Sequence, residues 1–231
     1  MIELSADLGE GSPGEEDIWP LIRRANVACG GHIGDEQSMR AAAAFARKHD
    51  VILGAHPSYP DRENFGRKSL QIDAASLRAT LIAQLSSLRT IAPIAHVKPH
   101  GALYNDAHLD RQLAAVVIDA MRAIDPALSI VAPDHSQMAA IAREAGTPVI
   151  REAFADRRYE PDGTLTPRKL PGSTLTIEEA ATQAALLAKD GAVIARDGTR
   201  IPIAFDTLCI HADMPDAADR LRAIHAALTR P

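Results

Sequence analysis

The chain is poor in aromatic residues, which make up 3% of its 231 positions. That scarcity removes the stacking platforms that hold single-stranded nucleic acids and leaves the interior to Ala, Leu, Ile and Val. A basic run is also missing. With 25 Lys and Arg against 30 Asp and Glu, the net charge of -5 has the wrong sign for a phosphate backbone, so no nucleic-acid partner is expected. Cys29 and Cys209 are too few for a disulfide framework and neither has a CxxC neighbour, which fits a reducing compartment. No apolar run approaches the ~20 residues a membrane helix needs. The start, Met1 to Asp7, carries early acids in place of the basic and apolar regions of a secretory signal. These absences predict a cytoplasmic location and no membrane partner. Two motifs are absent as well: HExxH, so no tight metal-binding spacing is present, and GxxxxGK[ST], so any ATP is bound without a Walker A loop.

What the sequence does have is alternation. Short apolar runs trade places with longer stretches of helical period, the pattern of parallel strands joined by crossover helices. Strands are expected at 2–7, 26–29, 51–55, 94–98, 129–132, 149–154 and 207–211. Asp35 is placed to cap a helix reaching about His49, because its carboxylate can accept a free amide of the first turn. From Asp73 onward Leu77, Leu81, Leu85 and Leu88 recur on one helical face. A further helix carries Leu113, Val116, Val117, Met121 and Ile124 on one side, and a short one covers 138–144. Thr176 and Glu179 form a capping box for a helix to about Lys189. Asp197-Gly198 suggests a hairpin between 192–195 and 201–205. A turn at Met214-Pro215 then leads into a helix with Leu221, Ile224 and Leu228 inward. Gly163, Pro167, Pro171 and Gly172 fall in one long irregular stretch, the kind of loop that covers a site. About seven strand-helix units with no linker predict a single α/β domain over residues 1–231, a distorted or incomplete β/α barrel, with an open doubly wound sheet as the alternative.

Strand after strand runs into ionisable residues at its C-terminal end. Asp7 and Glu10 follow the first, His32 and Asp35 the second, His56 the third, Lys98 and His100 the fourth, Glu152, Asp156 and Arg157 the sixth, and His211 and Asp213 the last. In parallel α/β folds those ends converge on one face together with the helix N-termini, so one catalytic mouth accounts for all of them. A lone histidine is ordinarily structural, but His32, His56, His100 and His211 repeat the placement. His49, His108, His135 and His225 fall on helices or their ends and read as solvated or packing residues, while His96, inside a strand two positions before Lys98, belongs to neither group. Lys98 ends an apolar strand, where an ammonium is costly unless it meets an anion. The plain account is a salt bridge with Glu152 or Asp7; the functional one is a cation for a phosphate or oxyanion. Asp7, Glu10, Glu152 and Asp156 are candidates to position water or move protons. Arg157 and Arg168 flank the long loop and could clamp a carboxylate. One carboxylate and two imidazoles from successive strand ends, Asp7, His32 and His56, would suit a divalent ion with open positions. The GxGxxG spelled by Gly9, Gly11 and Gly14 is a weak dinucleotide signal, because Pro13 and the acids Glu10, Glu15 and Glu16 crowd the place where a pyrophosphate would sit.

Several blocks occur together in order: 7–10 (DLGE), 26–32 (NVACGGH), 54–57 (GAHP), 65–67 (FGR), 98–105 (KPHGALYN), 152–159 (EAFADRRY) and 209–211 (CIH). In this set the sequence resembles the LamB/YcsF family, departing from its usual pattern at Ser5-Ala6, Gly31 and Ala212. The resemblance implies a distorted β/α barrel similar to the glycoside hydrolase and deacetylase superfamily. It also implies ATP-dependent opening of 5-oxo-L-proline to L-glutamate, with Mg2+ as the counterion of ATP and with 5-oxoprolinase subunits B and C as partners. In that setting Asp7, Glu10, Lys98, His100, Glu152 and His211 are the expected catalytic residues, and His32, His56, Asp156, Arg157 and Asp213 the expected substrate contacts. The alternatives are a stand-alone metal-dependent deacetylase or amidohydrolase of sugars, using Asp7, His32 and His56, and a non-catalytic scaffold subunit.

Overall fold

The computed structural model describes residues 2–214 and 216–229. Seven parallel strands close into a barrel in the order β1 (Glu3–Leu8), β2 (Arg24–Ala28), β3 (Ile52–His56), β4 (His96–Val97), β5 (Ser129–Ala132), β6 (Val149–Phe154) and β9 (Thr207–His211). The barrel therefore replaces the open-sheet alternative. Closure comes from β9, which pairs with β1 on one side and β6 on the other. The hairpin around Asp197-Gly198 forms as expected but stays outside the barrel, as an antiparallel pair of β7 (Ala192–Ile194) and β8 (Arg200–Pro202).

The helices are α1 (Glu36–His49), α2 (Ala74–Ile91), α3 (Gly101–Leu109), α4 (Arg111–Ile124), α5 (Gln137–Glu144), α6 (Ile177–Asp190) and α7 (Ala217–Thr229). Their starts follow local chemistry. Asp35 and Thr176 each complete a capping box, with Ser38 and Glu179 returning the bond, and Asp73 caps α2 through the Ser76 amide. The leucines at 77, 81, 85 and 88 are all buried, each contributing about 2 kcal/mol of gross apolar burial. On α4 the buried stripe is rotated from the expected one and centres on Val117, Ile118 and Met121, with Leu113, Val116 and Ile124 at its edges. The helix α3 is not legible as a period, because small and polar residues interrupt it; β4 is shorter than expected at both ends, although the Ala95 and Lys98 amides still bond β3. The turn expected at Met214-Pro215 includes a position outside the described residues. Among the described residues no helix is long and apolar enough to cross a membrane.

An aromatic-poor interior suits a narrow barrel. Ala6, Ala25, Ala55, Ala132 and Ala153 are fully buried on the outer face of the strands, opposite inward-facing residues such as Asp7, Asn26, His56 and Glu152, and their small volume lets the surrounding helices pack close. Asn26, Gly54 and His96 are register partners on adjacent strands. A Cβ on Gly54 would collide with the His96 ring at Nε2, so only glycine lets the imidazole cross β3 and reach Asn26.

Candidate active site at the barrel mouth

The strand ends converge as the alternation implies, on a cavity of about 1130 Å³ walled by the barrel mouth, the long loop after β6 and the hairpin. At its floor lies a chain of buried polar groups. His96 Nε2 is 2.9 Å from Asn26 Oδ1, and Asn26 Nδ2 donates to Asp7 Oδ1 at 2.9 Å. Lys98 Nζ donates to Asp7 at 3.0 and 3.2 Å, lies 2.8 Å from Glu152 Oε1 and contacts Cys209 Sγ at 3.0 Å. The Tyr104 hydroxyl completes the chain by donating to Glu152 Oε2 at 2.6 Å.

Burial alone would neutralise these groups, but their mutual charges oppose it. Burial pushes the Asp7 carboxyl up, yet the His56 ring beside it and the Lys98 ammonium outweigh that and hold it well below the carboxylate range. Burial likewise disfavours the Lys98 ammonium, whereas Asp7, then Cys209 and Glu152, keep it protonated well above the usual lysine range. The Tyr104 phenol is pushed far up by burial and by Glu152, so it remains a donor. His96 is pushed down to about 3, by burial first and then by the Arg24 and Lys98 charges. It is thus a neutral strut, which resolves its ambiguous place in the sequence.

Above this floor stand three histidines and Glu10. His56 Nδ1 is 2.7 Å from the Lys98 carbonyl and His100 Nε2 is 2.9 Å from the Phe65 carbonyl. The remaining nitrogens, His56 Nε2 and His100 Nδ1, face each other at 3.0 Å, and Glu10 Oε1 lies 3.4 Å from the latter. His32 stacks on His100 with centroids 3.7 Å apart and turns its Nε2 to Glu10 at 3.0 Å. The side chains whose donor atoms gather here are thus Glu10, His56 and His100, in place of the expected metal set Asp7, His32 and His56. Asp7 is instead engaged with Lys98 and Asn26, and His32 with Glu10. What strand-end order could not reveal is the side-chain direction, fixed by carbonyls at Lys98 and Phe65. Phe65 holds a left-handed φ of 54°, a strained conformation for an aromatic residue, and so aims its carbonyl at His100.

On the opposite wall His211 presents both its backbone N–H and Nδ1 to Asp156, at 3.0 Å each, and its ring stacks on Phe154. Asp156 is fully buried and kept ionised by His211 against the cost of burial. Arg157 lines the cavity, but its guanidinium is braced by the Ser173 and Thr166 carbonyls at 3.2 and 2.7 Å, which ties down both ends of the long loop. Its pKa is pulled down to about 10 by burial and by Arg168. At the rim Asp213 pairs with both Arg67 and Arg168. The expected loop over the site is real: residues 162–169 contribute to the cavity wall. His108 and His135 also line it, 5.0 Å apart, which corrects their reading as packing or solvated bystanders. Asn26 was missed, although a lone amide within an apolar strand is a readable signal; Tyr104, Arg67 and Cys209 appear in the sequence blocks without a role attached.

The glycine-rich turn after β1 binds no dinucleotide pyrophosphate in this arrangement, because the backbone amides of Gly9, Glu10 and Gly11 already converge on the Glu15 carboxylate. The loop is an anion nest filled by its own chain.

The geometry can be set beside known proteins. The 5-oxoprolinase A subunit from Neisseria meningitidis serogroup A / serotype 4A is 43% identical over 231 residues, covering 96% of this chain and 94% of the relative. Its counterpart from Methylococcus capsulatus is 43% identical over 238 residues, with coverage of 98% and 92%. Among solved structures, the lactam utilization protein from Thermus thermophilus superposes with a TM-score of 0.90 at 38% identity, covering 98% of this chain and 95% of that one. The model of the LamB/YcsF family matches residues 2–231, and the chain belongs to that family.

Proposed function

We propose that this chain is the A subunit of an ATP-dependent 5-oxoprolinase, which opens 5-oxo-L-proline to L-glutamate together with subunits B and C. The observation that carries this reading is the buried Lys98 ammonium, held between Asp7 and Glu152 at the floor of the cavity. The names of the relatives from N. meningitidis, M. capsulatus and T. thermophilus support it.

A five-membered lactam is an unactivated amide, so water attacks it only slowly. Transfer of the γ-phosphoryl group of ATP, carried with Mg2+, to the lactam oxygen makes the ring carbon electrophilic. Water then adds to that carbon, and the C–N bond breaks with its electron pair going to nitrogen, which takes up a proton. A second water hydrolyses the resulting acyl phosphate, releasing phosphate and glutamate. Each addition builds negative charge on oxygen, and a fixed ammonium in a dry pocket stabilises that charge more than bulk water would. Lys98 can turn one N–H toward it by giving up the weak acceptor Cys209 Sγ while keeping both carboxylates. Asp7 or Glu152 is placed to steer water, with Tyr104 orienting Glu152. His211, oriented by Asp156, is placed to exchange protons, and the braced guanidinium of Arg157 suits the substrate carboxylate. A volume of about 1130 Å³ exceeds the usual range for one small ligand, which leaves room for a nucleotide beside the lactam.

The test is glutamate release from 5-oxoproline and ATP, assayed for this chain alone and then with subunits B and C. Release that needs ATP and all three subunits, and is lost in Lys98→Ala, is the expected result. A second reading, a metal-dependent amidohydrolase working alone, is favoured by the Glu10, His56 and His100 cluster; turnover of an amide without ATP or partners would select it.

A further inference from the structure

We infer that Glu10, His56 and His100 bind one divalent transition-metal ion, with open coordination positions toward the cavity. The protons of the two imidazoles decide which ring nitrogens are free. A neutral imidazole carries one N–H. In His56 the Nδ1 proton is committed to the Lys98 carbonyl, and in His100 the Nε2 proton to the Phe65 carbonyl, because a carbonyl can only accept. His56 Nε2 and His100 Nδ1 are then both lone pairs, and they confront one another at 3.0 Å. Glu10 Oε1, a third electron-rich atom, lies 3.4 Å from one and 4.0 Å from the other.

Three acceptors do not gather in a buried space without something positive between them. A single bridging proton would serve the two nitrogens, but Glu10 Oε1, which takes a bond from His32 Nε2, would still face the His100 lone pair at 3.4 Å. Metal-donor bonds of about 2.0–2.1 Å in a tetrahedral arrangement place neighbouring donors about 3.3 Å apart, within the span of the separations seen here. Charge points the same way. Among the described residues the Lys98 ammonium meets Asp7 and Glu152, whereas Glu10 has only histidines beside it, so a divalent ion would balance the remaining carboxylate charge. The partner carbonyls and the His32 contact to Glu10 are the outer-shell bonds that orient metal ligands. Two imidazole nitrogens and one carboxylate oxygen select an ion such as Zn2+, Fe2+ or Co2+ over Mg2+ or Ca2+. All three side chains border the open cavity, which gives the ion an entry path.

This inference stands on the ligand geometry and does not depend on the proposed lactam chemistry. The full chain, stripped with chelator and dialysed, is titrated with Co2+, and the visible d–d absorption is followed. Saturation near one equivalent, with displacement of the colour by Zn2+, is expected. Glu10→Gln and His100→Ala should each weaken Co2+ binding at least tenfold while keeping the far-UV circular dichroism of the parent. No saturable binding by the wild type, or unchanged affinity in both variants, overturns the inference. Glutamate release with subunits B and C is measured in parallel on the same preparations: saturable binding of Co2+ without release defeats only the proposed function, and release with no saturable Co2+ binding defeats only the site.

Discussion

Lys98 and Glu152 meet at 2.8 Å across the barrel floor, one from just beyond β4 and the other from β6, and both are 2% exposed. Each depends mainly on the other and on Asp7 and Tyr104 for its polar contacts. Lys98→Ala should therefore leave Asp7 and Glu152 as buried charges without a counter-ion and cost about 3–5 kcal/mol in urea unfolding. ATP-dependent glutamate release should fall by about 100-fold or more, the usual loss when one stabilising donor is removed. The double variant Lys98→Ala with Glu152→Gln separates the two effects. It should recover part of the stability but none of the activity; recovery of both would remove Lys98 from the chemistry.

Acid should unfold the protein through its neutral histidines. His96 is held down at about 3, and His32 and His100 are also lowered, burial being the leading cause in each. Below the unfolded-state value of about 6.5, the unfolded chain binds protons that the folded chain refuses, so stability is full above that pH and declines as pH falls. Each such group contributes up to about 1.4 kcal/mol per pH unit. Asp7, depressed in the folded state, adds a further loss once the pH drops below the ordinary carboxylate range. Urea midpoints of metal-free protein should thus fall between pH 7 and pH 5, and a flat profile would contradict the buried neutral state of these rings.

How much of this was open to reading in the sequence depends on the range of the physics involved. Strand and helix order follows from local period and caps, and a parallel barrel necessarily brings strand ends together, so the mouth with Asp7, Lys98, Glu152 and His211 was legible. The direction of each side chain was not. His100 is aimed by the Phe65 carbonyl, contributed by a loop 35 positions earlier, and no pattern around either residue announces that bond. For the same reason strand-end order suggested Asp7, His32 and His56 as a metal set, whereas rotamers chosen by distant carbonyls gather Glu10, His56 and His100. The helix α3 was hidden because its burial follows from the Gly66–Gly101 contact and the cavity wall more than from an apolar stripe.

Gly66 tests how tightly the loop controls the histidines. It holds a φ of +63°, and a Cβ there would lie 2.9 Å from the Cβ of His32 and 3.1 Å from His100 Cδ2. Gly66→Ala combines backbone strain, costing about 1–3 kcal/mol, with a push on both rings. The fold should survive, while Co2+ affinity falls at least tenfold because His100 Nδ1 is displaced. Unaltered metal affinity would show that the loop merely covers the rings without setting them.

Arg157 connects the long loop to the barrel. Its Nε and Nη2 donate to the carbonyls of Ser173 and Thr166, so one planar guanidinium fixes two loop segments at once. Backbone bridges add to these ties, from Arg157 to Thr174 and from Tyr159 to Leu165. Arg157→Ala should remove about 2–4 kcal/mol of charge-assisted hydrogen bonding locally, opening residues 160–170 to trypsin at Arg168 or Lys169 while global unfolding shifts less. Arg157→Lys should not rescue the loop, because an ammonium lacks the rigid fork that spans two acceptors. In the assembled enzyme the same variants should raise KM for 5-oxoproline more than they lower kcat, as expected when a cavity wall is loosened but its floor is left intact. Trypsin resistance equal to that of the wild type would mean that the cavity wall itself holds the loop and that the guanidinium does not brace it.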